Sequence, residues 1–255
     1  MPLMPPVSTT IRLEKAARDA GFDLGPLHVG AWLRFATSRS PVSVWLTALG
    51  DAVYLAAVSR HNVASALSDY GVAHVSPLPD GAAGARCVTS LDVLGQLLYR
   101  VIPLARTLPD ELLHVFQSKA AHLPRTTEAE RLVVQRVGQD VFRDGLLEYW
   151  QGRCAATGLA VPALLRSSHM KPWADCETDA ERLDVFNGLL LAPNVDAAFD
   201  RGFLTFADDG RLVTSAKLDM AAQELLGFAA DLRVHGLKPG HRSYLAWHRQ
   251  KVFRP

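Results

Sequence analysis

Leu164–Gly202, LLRSSHMKPWADCETDAERLDVFNGLLLAPNVDAAFDRG, gathers His169, Asn187, Asn194, Asp196 and Asp200 around one compact turn. Ala163–Ser168 predicts a strand that ends at His169, where a ring can be held at the mouth of a hairpin. An imidazole titrates near neutrality and serves as a general base. Asp196 and Asp200 are four residues apart, so a helix places them on one face, where hard oxygen ligands suit Mg²⁺ or Mn²⁺. Asn187 carries both amide donors and an acceptor, and can clamp two backbone segments without adding charge. It is read as opening a helical segment. Each element also has a plainer reading: a satisfied core histidine, a helix cap, a solvated acidic face.

Taken together, Ser168-His169-x-Lys171-Pro172-Trp173, then Asn187-Gly188-Leu189-Leu190-Leu191, then Pro193-Asn194-x-Asp196-x-x-Phe199-Asp200-Arg201-Gly202 resembles the HNH endonuclease superfamily, in the branch lacking zinc-knuckle cysteines. The resemblance runs from about Arg136 to Gly202 and more weakly to the end of the chain. It implies a ββα-metal core: a hairpin carrying the base, a loop, and a helix carrying ligands for Mg²⁺ or Mn²⁺. It assigns His169 and Asn187 as catalytic, with Asn187 tying loop to hairpin and orienting His169, and Asn194, Asp196 and Asp200 as the set from which metal ligands come. Two positions depart from the pattern. Asp196 stands where zinc-knuckle relatives have a metal-binding histidine, and Ser168 stands where an aspartate is common. Cys154 occupies the place of a first knuckle cysteine, but Thr157 takes the second, so hydrophobic packing is expected in place of a structural zinc.

Arg166 and Lys171 flank the base and Arg201 follows Asp200, positions suited to gripping phosphates on either side of a cut. Upstream, Thr127 and Glu130 form a capping box that predicts a long helix to about Trp150. Arg136, Gln139 and Arg143 fall on nearly one line of it. That line is either a solvent-facing stripe or an edge that tracks a phosphate backbone. Gly138 and Gly145 are poor helix formers, at about 1 kcal/mol each, and mark close packing or close backbone approach.

The chain has 255 residues, is 49% hydrophobic, and carries a formal net charge of +1. It is long enough for two cores, and nucleic-acid contact must come from local basic patches. Arg233–Pro255 is one, with six Lys and Arg and no Asp or Glu. Three cysteines without a CxxC pair exclude a disulfide framework and a cysteine zinc site. No run approaches the ~18 apolar residues of a membrane span, and a cytoplasmic protein is expected.

The expected class is α+β. Residues 1–125 are read as a small α/β recognition domain and residues 126–255 as the nuclease domain with flanking helices. In the first, a helix from Ser8 or Thr9 precedes strands Ala31–Ala36, Val42–Ala48 and Val53–Ser59 and helices Asn62–Tyr70 and Ser90–Thr107. Pro103 is expected to kink or end the last. Trp32, Phe35, Trp45 and Tyr54 form either a sheet core or an aromatic pocket for a flipped base. In the second, a hairpin at Phe203–Thr214 and helices near Leu218–Ala230 and Gly240–Phe253 follow the motif.

The function implied is metal-dependent hydrolysis of double-stranded DNA in restriction, including restriction of modified DNA, most simply by a homodimer. The alternatives are a catalytically degenerate DNA-binding protein with the same fold, and a nuclease aimed at RNA.

Overall fold

A computed structural model describes residues 5–50, 52–75, 77–108, 110–124 and 126–255. The chain divides into two compact units, Met1–Leu108 and Pro109–Pro255. The division precedes the 125/126 boundary read from sequence, because the helix after Leu108 packs on the long helix of the second unit. Arg125, within the linker expected from sequence, and Met1–Met4 of the Pro-rich start lie outside the described residues, as does Asp51 of the Gly-Asp turn.

The first unit runs α1 (Val7–Asp19), β1 (Leu24–Val29), β2 (Trp32–Thr37), β3 (Ser40–Ala48), β4 (Tyr54–Val58), α2 (His61–Ala66), β5 (Val72–His74), β6 (Gly84–Val88) and α3 (Leu91–Thr107). Its strands form an antiparallel sheet ordered β1-β2-β3-β4-β6-β5. The meander read from sequence is its centre. β1, β5 and β6 are additions, since their short or mixed-polarity runs lack a clean alternation. Ser90 caps α3 by accepting from Val93 N. Pro103 lies inside α3, which continues to Thr107, whose hydroxyl donates to the Pro103 carbonyl.

Successive side chains of a strand point to opposite faces. Trp32 and Trp45 therefore share one face with Leu55, Ala57 and Ala85, covered by Leu78 and Ala82. Phe35 and Tyr54 fall on the other. All four aromatics are buried, so they belong to the sheet's cores on two sides and form no common pocket.

The second unit runs α4 (Glu111–Ala120), α5 (Glu128–Tyr149), β7 (Arg166–His169), α6 (Asp179–Arg182), β8 (Gly188–Leu191), α7 (Pro193–Asp200), β9 (Leu204–Phe206), β10 (Leu212–Thr214), α8 (Met220–Leu225) and α9 (Pro239–Lys251), with short 3₁₀ turns at Trp173–Asp175 and Val185–Asn187. The Thr127/Glu130 capping box is formed at the start of α5. β7 and β8 pair antiparallel, with Ser168 opposite Leu189 and His169 opposite Gly188. Asn187 therefore closes a 3₁₀ turn ahead of a strand and does not open a helix; the fully buried Gly-Leu-Leu-Leu run has the signature of a core strand, which short apolar runs do not distinguish from a helix by periodicity. β9 and β10 form the expected second hairpin.

Two glycines of α5 explain themselves in packing. A Cβ on Gly138 would stand 2.4 Å from Trp173 Cη2, and one on Gly145 2.3 Å from Leu112 Cδ1. The helix gives up propensity so that a tryptophan and a leucine can lie against its backbone. No helix among the described residues is long and apolar enough to cross a membrane.

Candidate active site

β7 and β8 lie against α5, and α7 packs against β7. This hairpin-plus-helix arrangement brings together the ends of three elements. His169 at the end of β7, Asp200 at the end of α7 and His248 on α9 line one cleft of about 320 Å³, with Ser167, Trp173 and Val252 completing much of its wall.

The His169 ring stacks on Phe142 of α5 at 3.8 Å between centroids and 15° between planes, and meets Trp173 edge-on at 5.8 Å. Its Nε2 lies 2.9 Å from the Arg182 carbonyl. A carbonyl only accepts, so Nε2 carries the proton and Nδ1 holds the ring's free lone pair. Burial lowers the ring's pKa to about 4, which keeps it neutral at physiological pH with the Nδ1 lone pair free.

Asn187 is fully buried. Its Oδ1 accepts from Lys171 N at 2.8 Å, and its Nδ2 donates to the carbonyls of Lys171 at 3.1 Å and Glu181 at 3.3 Å. The amide sews the residues just after His169 to the end of the connecting loop. It touches no solvent and does not line the cleft, and its geometry is that of a clamp.

Ser168 is buried and donates its hydroxyl to Asp196 Oδ1. The serine in the place of an aspartate thus orients the carboxylate across from it. The Asp200 carboxyl, which lines the cleft while staying partly open to solvent, is raised to about 6, first by partial desolvation and then by the charge of Asp196. Two carboxylates that repel one another across a helix face fit a hard divalent cation, which would relieve that repulsion. Among the described residues no group of three or more His, Cys, Asp and Glu forms a metal cage. Asn194 does not join the pair: two residues from Asp196 on a helix is about 200° of rotation, and its Nδ2 donates to the Leu226 carbonyl at 2.6 Å.

The basic residues divide in the same way. Arg136, Gln139, Arg166 and Arg201 are exposed. Arg143 instead donates to the carbonyls of Leu165 at 2.8 Å and Pro162 at 3.1 Å, fastening α5 to the approach of β7. Lys171 is paired with Glu181 at 2.7 Å, with its side chain 12% exposed. Both cations are engaged with partners inside the protein, holding the frame of the site. Cys154 is likewise internal, its sulfur accepting from the N–H groups of Ala192 and Thr157.

Phe142, Arg182 and His248 are the site residues the sequence did not single out. Phe142 is an ordinary core aromatic by pattern, and Arg182 acts through its carbonyl, which no side-chain motif records. His248 had a signal: with His241 and Leu245 it forms a buried stripe at helical spacing.

A hairpin bearing a neutral histidine, a clamped loop and a helix bearing carboxylates give this unit a ββα arrangement. Residues 154–207, within the second unit, match the HNH endonuclease family model. No curated protein matches the chain. Among solved structures, the Modification dependent TagI restriction endonuclease is similar at 20% identity, with a TM-score of 0.29, over 42% of this chain. The similarity spans 35% of that protein's chain.

Proposed function

We propose that the protein is a metal-dependent DNA endonuclease of the restriction type, with His169 as general base. The observation that carries this reading is the shared cleft of His169 and Asp200. Hydrolysis requires a water in line with the leaving oxygen, removal of its proton, and neutralisation of charge on the phosphoryl oxygens. Nδ1 of His169 takes the proton, while Arg182 and Phe142 fix the ring's tautomer and plane. Asp196 and Asp200 would hold Mg²⁺ or Mn²⁺, with water and phosphate oxygens completing the coordination. Such a cation, when bound, stabilises the charge that builds on the scissile phosphate. Arg166 and Arg201 grip the backbone near the cut, and Arg136 and Gln139 extend the contact along α5.

A core of this kind contacts backbone, so target choice falls to the first unit, which we take as the recognition module, reading modified or unmodified DNA. A duplex break needs two cuts, and a twofold dimer supplies them. The cytoplasm is the compartment in which such an enzyme meets its substrate. Digestion of methylated, hydroxymethylated and unmodified genomic DNA with Mg²⁺ and Mn²⁺, followed by end sequencing, tests this reading, with structured RNA offered in parallel. Defined ends on one class of DNA are expected; absence of DNA cleavage with either ion, or cleavage confined to RNA, overturns it.

A further inference from the structure

The HNH match ends at residue 207, yet the cleft is also lined by His248 of α9 and by Val252, far beyond it. His248 is 1% exposed. Its Nε2 lies 3.1 Å from the Phe199 carbonyl, and its Nδ1 lies 2.9 Å from Thr205 Oγ1. The carbonyl requires the proton on Nε2, so Nδ1 accepts from the Thr205 hydroxyl, and both ring nitrogens are committed. The same ring stacks on the Phe199 side chain at 3.8 Å between centroids and 6° between planes. His248 therefore holds Phe199 by its ring and by its backbone at once, and the next residue along the chain is Asp200.

The turn after Asp200 is pinned by the same helix end. Gly202 has φ +74°, and a Cβ there would stand 2.1 Å from the Val252 carbonyl oxygen. Arg254 N donates to the Gly202 carbonyl at 2.9 Å, and Arg249 donates to the Phe206 carbonyl at 2.9 Å. The last turn of α7 is thus gripped from both sides of Asp200 by α9 and the residues after it.

We propose that His248 is a positioning residue for the Asp200 carboxylate, so that the C-terminal helix is part of the nuclease site. The inference rests on the endonuclease reading above, and it extends that reading to a helix outside the matched segment. Groups that orient a ligand typically change metal affinity by about 10- to 100-fold when removed.

The test compares wild type, His248→Phe, His248→Gln and Thr205→Val, with circular dichroism as the folding control. Mn²⁺ affinity is measured without DNA by titration calorimetry, and the Mn²⁺ dependence of cleavage is measured with it. His248→Phe keeps the stacking face and loses both hydrogen bonds. It is expected to weaken Mn²⁺ binding by about tenfold or more and to shift the cleavage requirement to match. His248→Gln, whose amide can still donate to the Phe199 carbonyl, should recover much of the loss. Thr205→Val, which removes only the hydroxyl, should give a smaller shift in the same direction, and it decides the matter should His248→Phe fail to fold. Variants that fold and show unchanged Mn²⁺ affinity and an unchanged cleavage requirement overturn the inference alone. A wild type that neither binds Mn²⁺ nor cuts DNA overturns the endonuclease reading and this inference with it.

Discussion

The imidazole of His169 lies face to face with the ring of Phe142, 3.8 Å between centroids, while its Nε2 is fixed on the Arg182 carbonyl. An imidazole at the end of a short strand, the proposed base, is thus held by a helix residue and a loop carbonyl. Phe142→Leu should open this platform to water. The His169 pKa, followed by NMR, is expected to rise from about 4 toward its ordinary 6.5, and cleavage to fall. The stability cost should stay below the roughly 3–5 kcal/mol typical of Phe→Ala, since most of the volume is kept.

Gly138→Ala tests the wall of the cleft. Alanine is the better helix former by about 1 kcal/mol, but its methyl would meet Trp173 at 2.4 Å. Trp173 must shift and disturb its edge-on contact with His169, so cleavage should drop with little loss of helix content. Unchanged kcat with a raised Tm would show that the tryptophan is free to yield.

Ser168→Ala removes the hydroxyl that holds Asp196. The carboxylate gains freedom, and metal affinity should fall severalfold while DNA affinity at fixed salt is retained. Titration calorimetry with Mn²⁺ reads the effect; equal affinities for the two proteins would detach the serine from the proposed metal site.

Stability should decline on acidification below neutrality. His169, His241 and His248 are each lowered to about 4 by burial, against 6.5 ordinarily. The unfolded chain then binds more protons than the folded one, so this contribution is full above about pH 6.5 and is lost as pH falls toward 4, at roughly 1.4 kcal/mol per pH unit for each proton. Asp200 and Asp184 are raised and act in the opposite sense, offsetting part of the slope. Tm measured from pH 7.5 to 4.5 should fall with pH, less steeply in His241→Asn than in wild type. A Tm that is flat or rises on acidification would contradict these environments.

The arrangement of the second unit's hairpin and helix was legible because its pieces are local in sequence. Hairpin, loop and helix follow one another in sequence, and His169, Asp196 and Asp200 fall where strand and helix geometry put them. What was hidden depends on distant pieces of chain: Phe142 beneath the base, His248 behind Asp200, and the α4 packing that draws the unit boundary before Leu112. Arg143 and Lys171 looked like phosphate grips because charge is visible in sequence, whereas the carbonyls of Leu165 and Pro162 and the Glu181 carboxylate that occupy them are partners only in the folded chain. In the first unit the aromatic residues were visible, but strand register decided that they part to two faces of the sheet.

The most direct measurement is single-turnover cleavage of duplex DNA with Mg²⁺ or Mn²⁺ by wild type and His169→Ala, alongside DNA affinity. Removal of the base should slow cutting by about 10²–10⁴-fold while affinity stays near wild type. Near-normal turnover by His169→Ala would contradict the assignment of His169 as the group that activates water.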